Sequence, residues 1–145
     1  MMPEAERFFR QWEKDMQMMQ KEIPAVARGF GNFFQSVMAE GALTVREKEL
    51  IALGISLAVR CKPCINLHVE KCLKAGATRE QILEAAGVAV MMQGGPSFTH
   101  VPEVIRALEH LESKKAPQAR WGLAARFRLP ATHEGAAGPN GKAGK

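Results

Sequence analysis

The residues best suited to chemistry are Cys61-Lys62-Pro63-Cys64, followed by His68 and preceded by Glu49, which stands twelve residues before the first cysteine. The chain has three cysteines, and two of them lie close enough in sequence to close an intramolecular disulfide. A pair so spaced reads first as a redox couple and second as part of a metal site. His68 follows Cys64 by four residues, so on a helix its imidazole and that thiol share a face. One thiol then has a proton acceptor, and the other is placed to resolve whatever the first becomes. The pattern suits dithiol peroxidase or disulfide-exchange chemistry.

Thiols attack peroxides or disulfides only as thiolates, so such a site must lower a thiol pKa or hold a base beside it. Both devices are legible. Pro63 disfavours helix at Lys62, which places the cysteines at a break before a helix, where unpaired N–H groups and the positive dipole end favour a thiolate. His68, about one turn below Cys64, can accept or relay its proton. Glu49 belongs to the preceding helix. A chain that reverses at residue 61 would return its carboxylate to within reach of His68, to orient the imidazole and balance its charge. Glu47 is the competing carboxylate, but its place in a capping box gives it a structural task.

The elements that must carry these groups are helical throughout, with no strand alternation. Phe8, Phe9, Trp12, Met16 and Met19 mark an amphipathic helix over residues 4–21, ended near Pro24. Residues 25–38 form a second, weakened by Gly29 and Gly31. Thr44-Val45-Arg46-Glu47 caps a third, over residues 45–60, which is apolar nearly all round and expected at the centre of a bundle. A fourth is expected from Pro63 to Lys74, stopped at Gly76. Thr78-Arg79-Glu80-Gln81 caps a fifth, which ends at Gly94-Gly95-Pro96, and residues 97–113 form a sixth. The expected architecture is an all-α, single-domain bundle of about six helices. Residues 1–113 make up the domain and residues 114–145 a basic, partly disordered tail.

Composition agrees with one globular domain: 145 residues, 46% hydrophobic and 24% charged. The net charge of +5 is localised. Residues 114–145 carry seven Lys or Arg against Glu134 alone, so the preceding 113 residues sum to −1. The body therefore has no phosphate-tracking face, and no nucleic-acid partner is expected. The acidic start is unlike a secretory leader, and the uncharged stretch Ala85–Pro102 is broken by Gly94-Gly95-Pro96. A cytoplasmic protein without a membrane partner is expected. There a close cysteine pair is catalytic or metal-binding more often than structural.

Three stretches together resemble a known family: Lys48-Glu49-Leu50-Ile51-Ala52-Leu53, then Cys61-Lys62-Pro63-Cys64-Ile65-Asn66-Leu67-His68, then Lys74-Ala75-Gly76-Ala77-Thr78-Arg79-Glu80-Gln81-Ile82. With Gly94-Gly95-Pro96, they are similar to the alkylhydroperoxidase D core of the carboxymuconolactone decarboxylase superfamily, over roughly residues 24–112. The resemblance implies an all-helical fold assembled as trimers or hexamers. It also implies reduction of a small-molecule peroxide by a cysteine pair, which a partner dithiol re-reduces without any further cofactor. Carried over, Cys64 would be the peroxidatic thiol, Cys61 the resolving thiol, and His68 and Glu49 the proton relay. The decarboxylase branch lacks cysteines paired in this way, which argues against lactone decarboxylation.

Other readings compete. The cysteines and His68 could be buried packing residues. A zinc site of Cys61, Cys64, His68 and Cys72 is opposed by geometry, since eleven helical residues separate the outer cysteines by about 16 Å. A three-ligand set without Cys72 stays open. General thiol–disulfide exchange, or a redox-sensing scaffold whose tail holds a partner, would use the same pair. Cys72, Met91, Met92 and the Phe30-Phe33-Phe34 cluster read as core or subunit contact. His100 reads as a capping or surface residue that could alternatively line the pocket. The apolar first and third helices exceed what one short subunit covers, so an oligomer is expected.

Overall fold

A computed structural model describes residues 1–115; the tail residues beyond, including Trp121, Leu123, Phe127 and Leu129, lie outside the described residues. Among the described residues there are six long helices and one short one, with no strand: α1 Glu4–Glu22, α2 Pro24–Met38, α3 Val45–Ala58, α4 Lys62–Lys74, α5 Arg79–Gln93, α6 Gly95–Phe98 and α7 Val101–Lys115. Among the described residues no helix is long and apolar enough to cross a membrane.

The local signals work as their chemistry requires. Both capping boxes form: Thr44 Oγ1 accepts from the Glu47 N–H while Glu47 reaches back to the Thr44 N–H, and Thr78 and Gln81 repeat the arrangement. Gly76 has φ +83° just past α4, a left-handed conformation in which glycine carries no side-chain clash. Helix α4 begins at Lys62, one residue before Pro63. Proline is tolerated in a first turn because its missing N–H has no intrahelical partner there. The expected sixth helix is divided. α6 closes after one turn, and α7 starts afresh at Val101 because Pro102 has no N–H to continue the ladder onto the preceding turn.

The core lies where α3, α4, α5 and α7 meet. It consists of Leu53 and Leu57 from α3, Ile65 and Val69 from α4, Ile82 and Ala86 from α5, and Val104 and Leu108 from α7, all 0% exposed. Helix α3 packs between α4 and α5, α7 lies against α4, and α1 closes over α7 and α2. The expectation of an all-round buried α3 is corrected: Ile51, Ile55 and Val59 are 51%, 58% and 63% exposed, so the helix buries one face only. Helix α2 buries no residue fully, and Phe30 and Phe33 are exposed. It is held at its end by Lys48, whose ammonium donates to the Val37 and Ala39 carbonyls at 2.8 and 2.6 Å, a cation at the negative end of the helix.

Candidate active site

The site is built at the turn between α3 and α4. Helix α3 ends in a Schellman motif: Arg60 N–H bonds the Leu57 carbonyl at 3.1 Å and Cys61 N–H bonds the Ser56 carbonyl at 3.0 Å. Arg60 occupies the left-handed position, with φ +57°, among the described residues the one non-glycine with positive φ. A side chain there is strained by about 1 kcal/mol or more, and strain of this kind persists only where surrounding structure holds it. The sharp turn delivers Cys61 to the N-cap of α4. Its Sγ accepts the Cys64 N–H at 3.3 Å.

Cys61 and Cys64 are joined as a disulfide, with an S–S distance of 2.03 Å and a Cα–Cα distance of 5.2 Å. Both are partly exposed. The bond sits at the positive end of α4, where the helix dipole and the Cys64 N–H directed at Cys61 Sγ favour a thiolate formed by reduction.

One turn on, His68 meets Glu49. The Glu49 carboxylate, 4% exposed on α3, accepts from His68 Nδ1 at 2.6 Å. With Nδ1 as donor to the carboxylate, the free lone pair of the neutral ring is on Nε2, which fixes the basic nitrogen. Phe34 from α2 stacks beside the imidazole, with ring centroids 6.3 Å apart at 27°. Lys71 places its ammonium 4.7 Å from the Phe34 centroid. The His68–Glu49 pair is thus walled on one side by an aromatic ring carried by α2, whose Phe30 and Phe33 are exposed.

Cys72 lies on the same helix but in the core, fully buried and free. Burial first, and the Glu49 charge second, push its thiol up to about 12, so it stays protonated. His100 is turned into the Gly94-Gly95-Pro96 bend, where its Nδ1 donates to the Pro96 carbonyl at 2.9 Å.

Sequence reasoning missed a second polar cluster, behind the cysteine turn. Glu103 of α7 and Asn66 of α4 are 3% and 1% exposed. Asn66 Nδ2 donates to Glu103 Oε1 at 2.8 Å and to the Lys62 carbonyl at 3.0 Å. Arg106 donates to Glu103 Oε2 at 2.8 Å. One signal was available: Glu103 stands four residues before Ala107 and beside Val104, a charge on the apolar stripe of its helix.

Comparison with known proteins agrees with this architecture. Residues 24–107 match the Carboxymuconolactone decarboxylase family. The chain belongs to that family, with an alkylhydroperoxidase D-like core. A carboxymuconolactone decarboxylase family protein from Legionella pneumophila superposes with a TM-score of 0.71 at 34% identity, covering 75% of this chain and 97% of the other. A Thermotoga maritima family member, for which a part in the antioxidative response has been suggested, gives 0.59 at 32% identity over 63% of this chain and 94% of its own. Uncharacterised protein 4 in the cox locus of Paracoccus denitrificans is 38% identical over 76 residues, 52% of this chain and 68% of that protein.

Proposed function

We propose that this chain is a thiol-dependent peroxidase working through Cys61 and Cys64. The observation that carries the reading is the helix-capping cysteine pair, with Cys64 one helical turn from a His68 whose Nδ1 is engaged by Glu49. Starting from the reduced pair, the Cys64 thiolate attacks the peroxide O–O bond. The distal oxygen stays on sulfur as a sulfenic acid, and the alcohol leaves with a proton relayed by His68. The Cys61 thiol condenses with the sulfenic acid, releasing water and forming the disulfide seen here. An external dithiol then exchanges with that disulfide, becoming oxidised itself and restoring two thiols. In sum, peroxide and dithiol become alcohol, water and a partner disulfide. Glu49 holds the ring so that Nε2 is the working nitrogen and offsets the imidazolium charge. The suggested antioxidative part of the Thermotoga relative supports the same reading. Trapping a sulfenate on Cys64 in Cys61→Ser after one equivalent of peroxide tests it; a Cys64 that stays a thiol in that variant contradicts it.

One observation favours a second reading, general thiol–disulfide exchange. Cys61 Sγ accepts a backbone N–H at the helix start, which stabilises a Cys61 thiolate as attacking or leaving group. Turnover on a protein disulfide exceeding that on peroxides would select it. In either case the protein works in the cytoplasm as an oligomer, a trimer or hexamer by the family resemblance. What supports association is an apolar face, shared by Ile51 and Ile55 of α3, Val59 at its C-cap, and Val88, Met91 and Met92 of α5, that one subunit leaves exposed. It surrounds an open groove of about 430 Å³.

A further inference from the structure

We infer that Glu103 is a positioning residue of the redox turn, which, through Asn66 and Lys62, sets how readily the Cys61–Cys64 disulfide is reduced. The inference rests on the reading of that pair as a working couple.

Three observations carry it. First, Glu103 is a nearly completely buried carboxylate, and its partners converge on the cysteine motif. Asn66 bridges it to the backbone carbonyl of Lys62, the residue between the two cysteines that starts α4. Second, Asn66 accepts a cost to do so. Its amide nitrogen is drawn between two acceptors, which leaves Oδ1 buried with no partner among the described residues. An amide that gives up a hydrogen bond in this way is oriented by the bridge. Third, the side chain of Lys62 belongs to the same cluster. Its ammonium lies 3.9 Å from Glu103 and 3.5 Å from Glu4, and Arg106 spans the same two carboxylates.

Burial raises the pKa of Glu103, but the hydrogen bonds from Asn66 and Arg106, with the charges of Arg106 and Lys62, outweigh it and leave the group below its ordinary value. It is therefore an anion at neutral pH. Reduction of the disulfide takes two electrons and up to two protons, and leaves a thiolate wherever a thiol ionises. A negative charge behind the turn opposes that thiolate, and Lys62 favours it. Glu103 also anchors the turn, keeping the sulfurs together and so favouring the disulfide. Both actions make the pair harder to reduce.

The test equilibrates the full chain with defined ratios of reduced and oxidised dithiothreitol, and reads the disulfide fraction by alkylation and mass. Glu103→Gln removes the charge with little change of shape. Its equilibrium constant for reduction should rise about tenfold, a potential about 30 mV less negative. Lys62→Met removes the opposing charge at a half-exposed side chain, and should shift the constant the other way by a smaller factor, fading as salt is added. A merely structural Glu103 would lower thermal stability in Glu103→Gln and leave both potentials at the wild-type value; that result overturns the inference. Should Glu103→Gln not fold, an unshifted Lys62→Met overturns it alone. Failure of the underlying reading looks different: the unmutated disulfide would not exchange with the dithiol at all.

Discussion

Glu49 and His68 lie nineteen residues apart on successive helices, yet the carboxylate takes the imidazole Nδ1–H at 2.6 Å. The contact fixes both the orientation of the ring and the nitrogen that keeps a free lone pair. It exists because α3 and α4 pack side by side after the turn at Arg60, with Leu53 and Leu57 of α3 and Ile65 and Val69 of α4 buried in a common core.

Removing that carboxylate should hurt chemistry more than folding. In Glu49→Gln the ring loses its charged partner, and peroxide turnover should fall about 100-fold, within the usual worth of acid–base assistance. Steady-state kinetics with a dithiol reductant checks this. Wild-type turnover in that variant would remove the relay from the mechanism.

Cys72 should take no part. Its thiol is sealed in the core and raised to about 12. Iodoacetamide applied to the reduced, folded protein at pH 8 should label Cys61 and Cys64 and leave Cys72 unmodified until denaturant is added. Cys72→Ala should keep its turnover. Rapid labelling of all three thiols in the native state would contradict this.

Arg60 is held in a conformation that glycine adopts freely. Arg60→Gly should raise stability by up to about 1 kcal/mol, less the extra freedom glycine gives the unfolded chain. Thermal melting of the oxidised protein measures it. A large loss of stability would mean that the arginine side chain supports the turn by contacts of its own.

Acid should act in two stages. Burial, and then Lys114, lower His110 below its ordinary value, against an opposing effect of Glu6. As pH falls below about 6.5 the unfolded chain takes up that proton first, and stability declines down to the folded value. Glu103 is also lowered, so its contribution is complete above about 4.3 and is lost as pH falls from there through the folded value. Melting temperatures across pH should show both declines. His110→Phe should abolish the upper one and keep the stacking position beside Phe9, where the rings are now 5.6 Å apart.

The exposed apolar face makes a prediction of its own. Ile55→Asp places a charge among Ile51, Val59 and Val88, where an associated surface would have to desolvate it. Light scattering should find a smaller species than wild type. An unchanged mass would move the interface elsewhere.

What was legible in the sequence was local. Thr44 with Glu47 and Thr78 with Gln81 announce helix starts because a cap acts within one turn, and Gly76 marks a helix end for the same reason. The Glu49–His68 contact could be expected because only a short turn separates their helices. Glu103 and Asn66 were not legible as partners. Thirty-seven residues separate them, and nothing short of the packing of α7 on α4 brings them together. Which side of α3 one subunit leaves open was not legible for another reason: apolar residues on every face read as buried, whether a second helix or a second subunit does the burying. The pairing of Phe34 with His68 depended on where α2 lies, which Lys48 helps to fix from outside that helix.

The most direct measurement is peroxide consumption by the purified chain with a dithiol reductant, compared between wild type and Cys64→Ser. The account predicts many turnovers per subunit in the wild type and none in the variant. Equal consumption by the two, or a wild-type pair that oxidises once and stops while the dithiol is in excess, would contradict it.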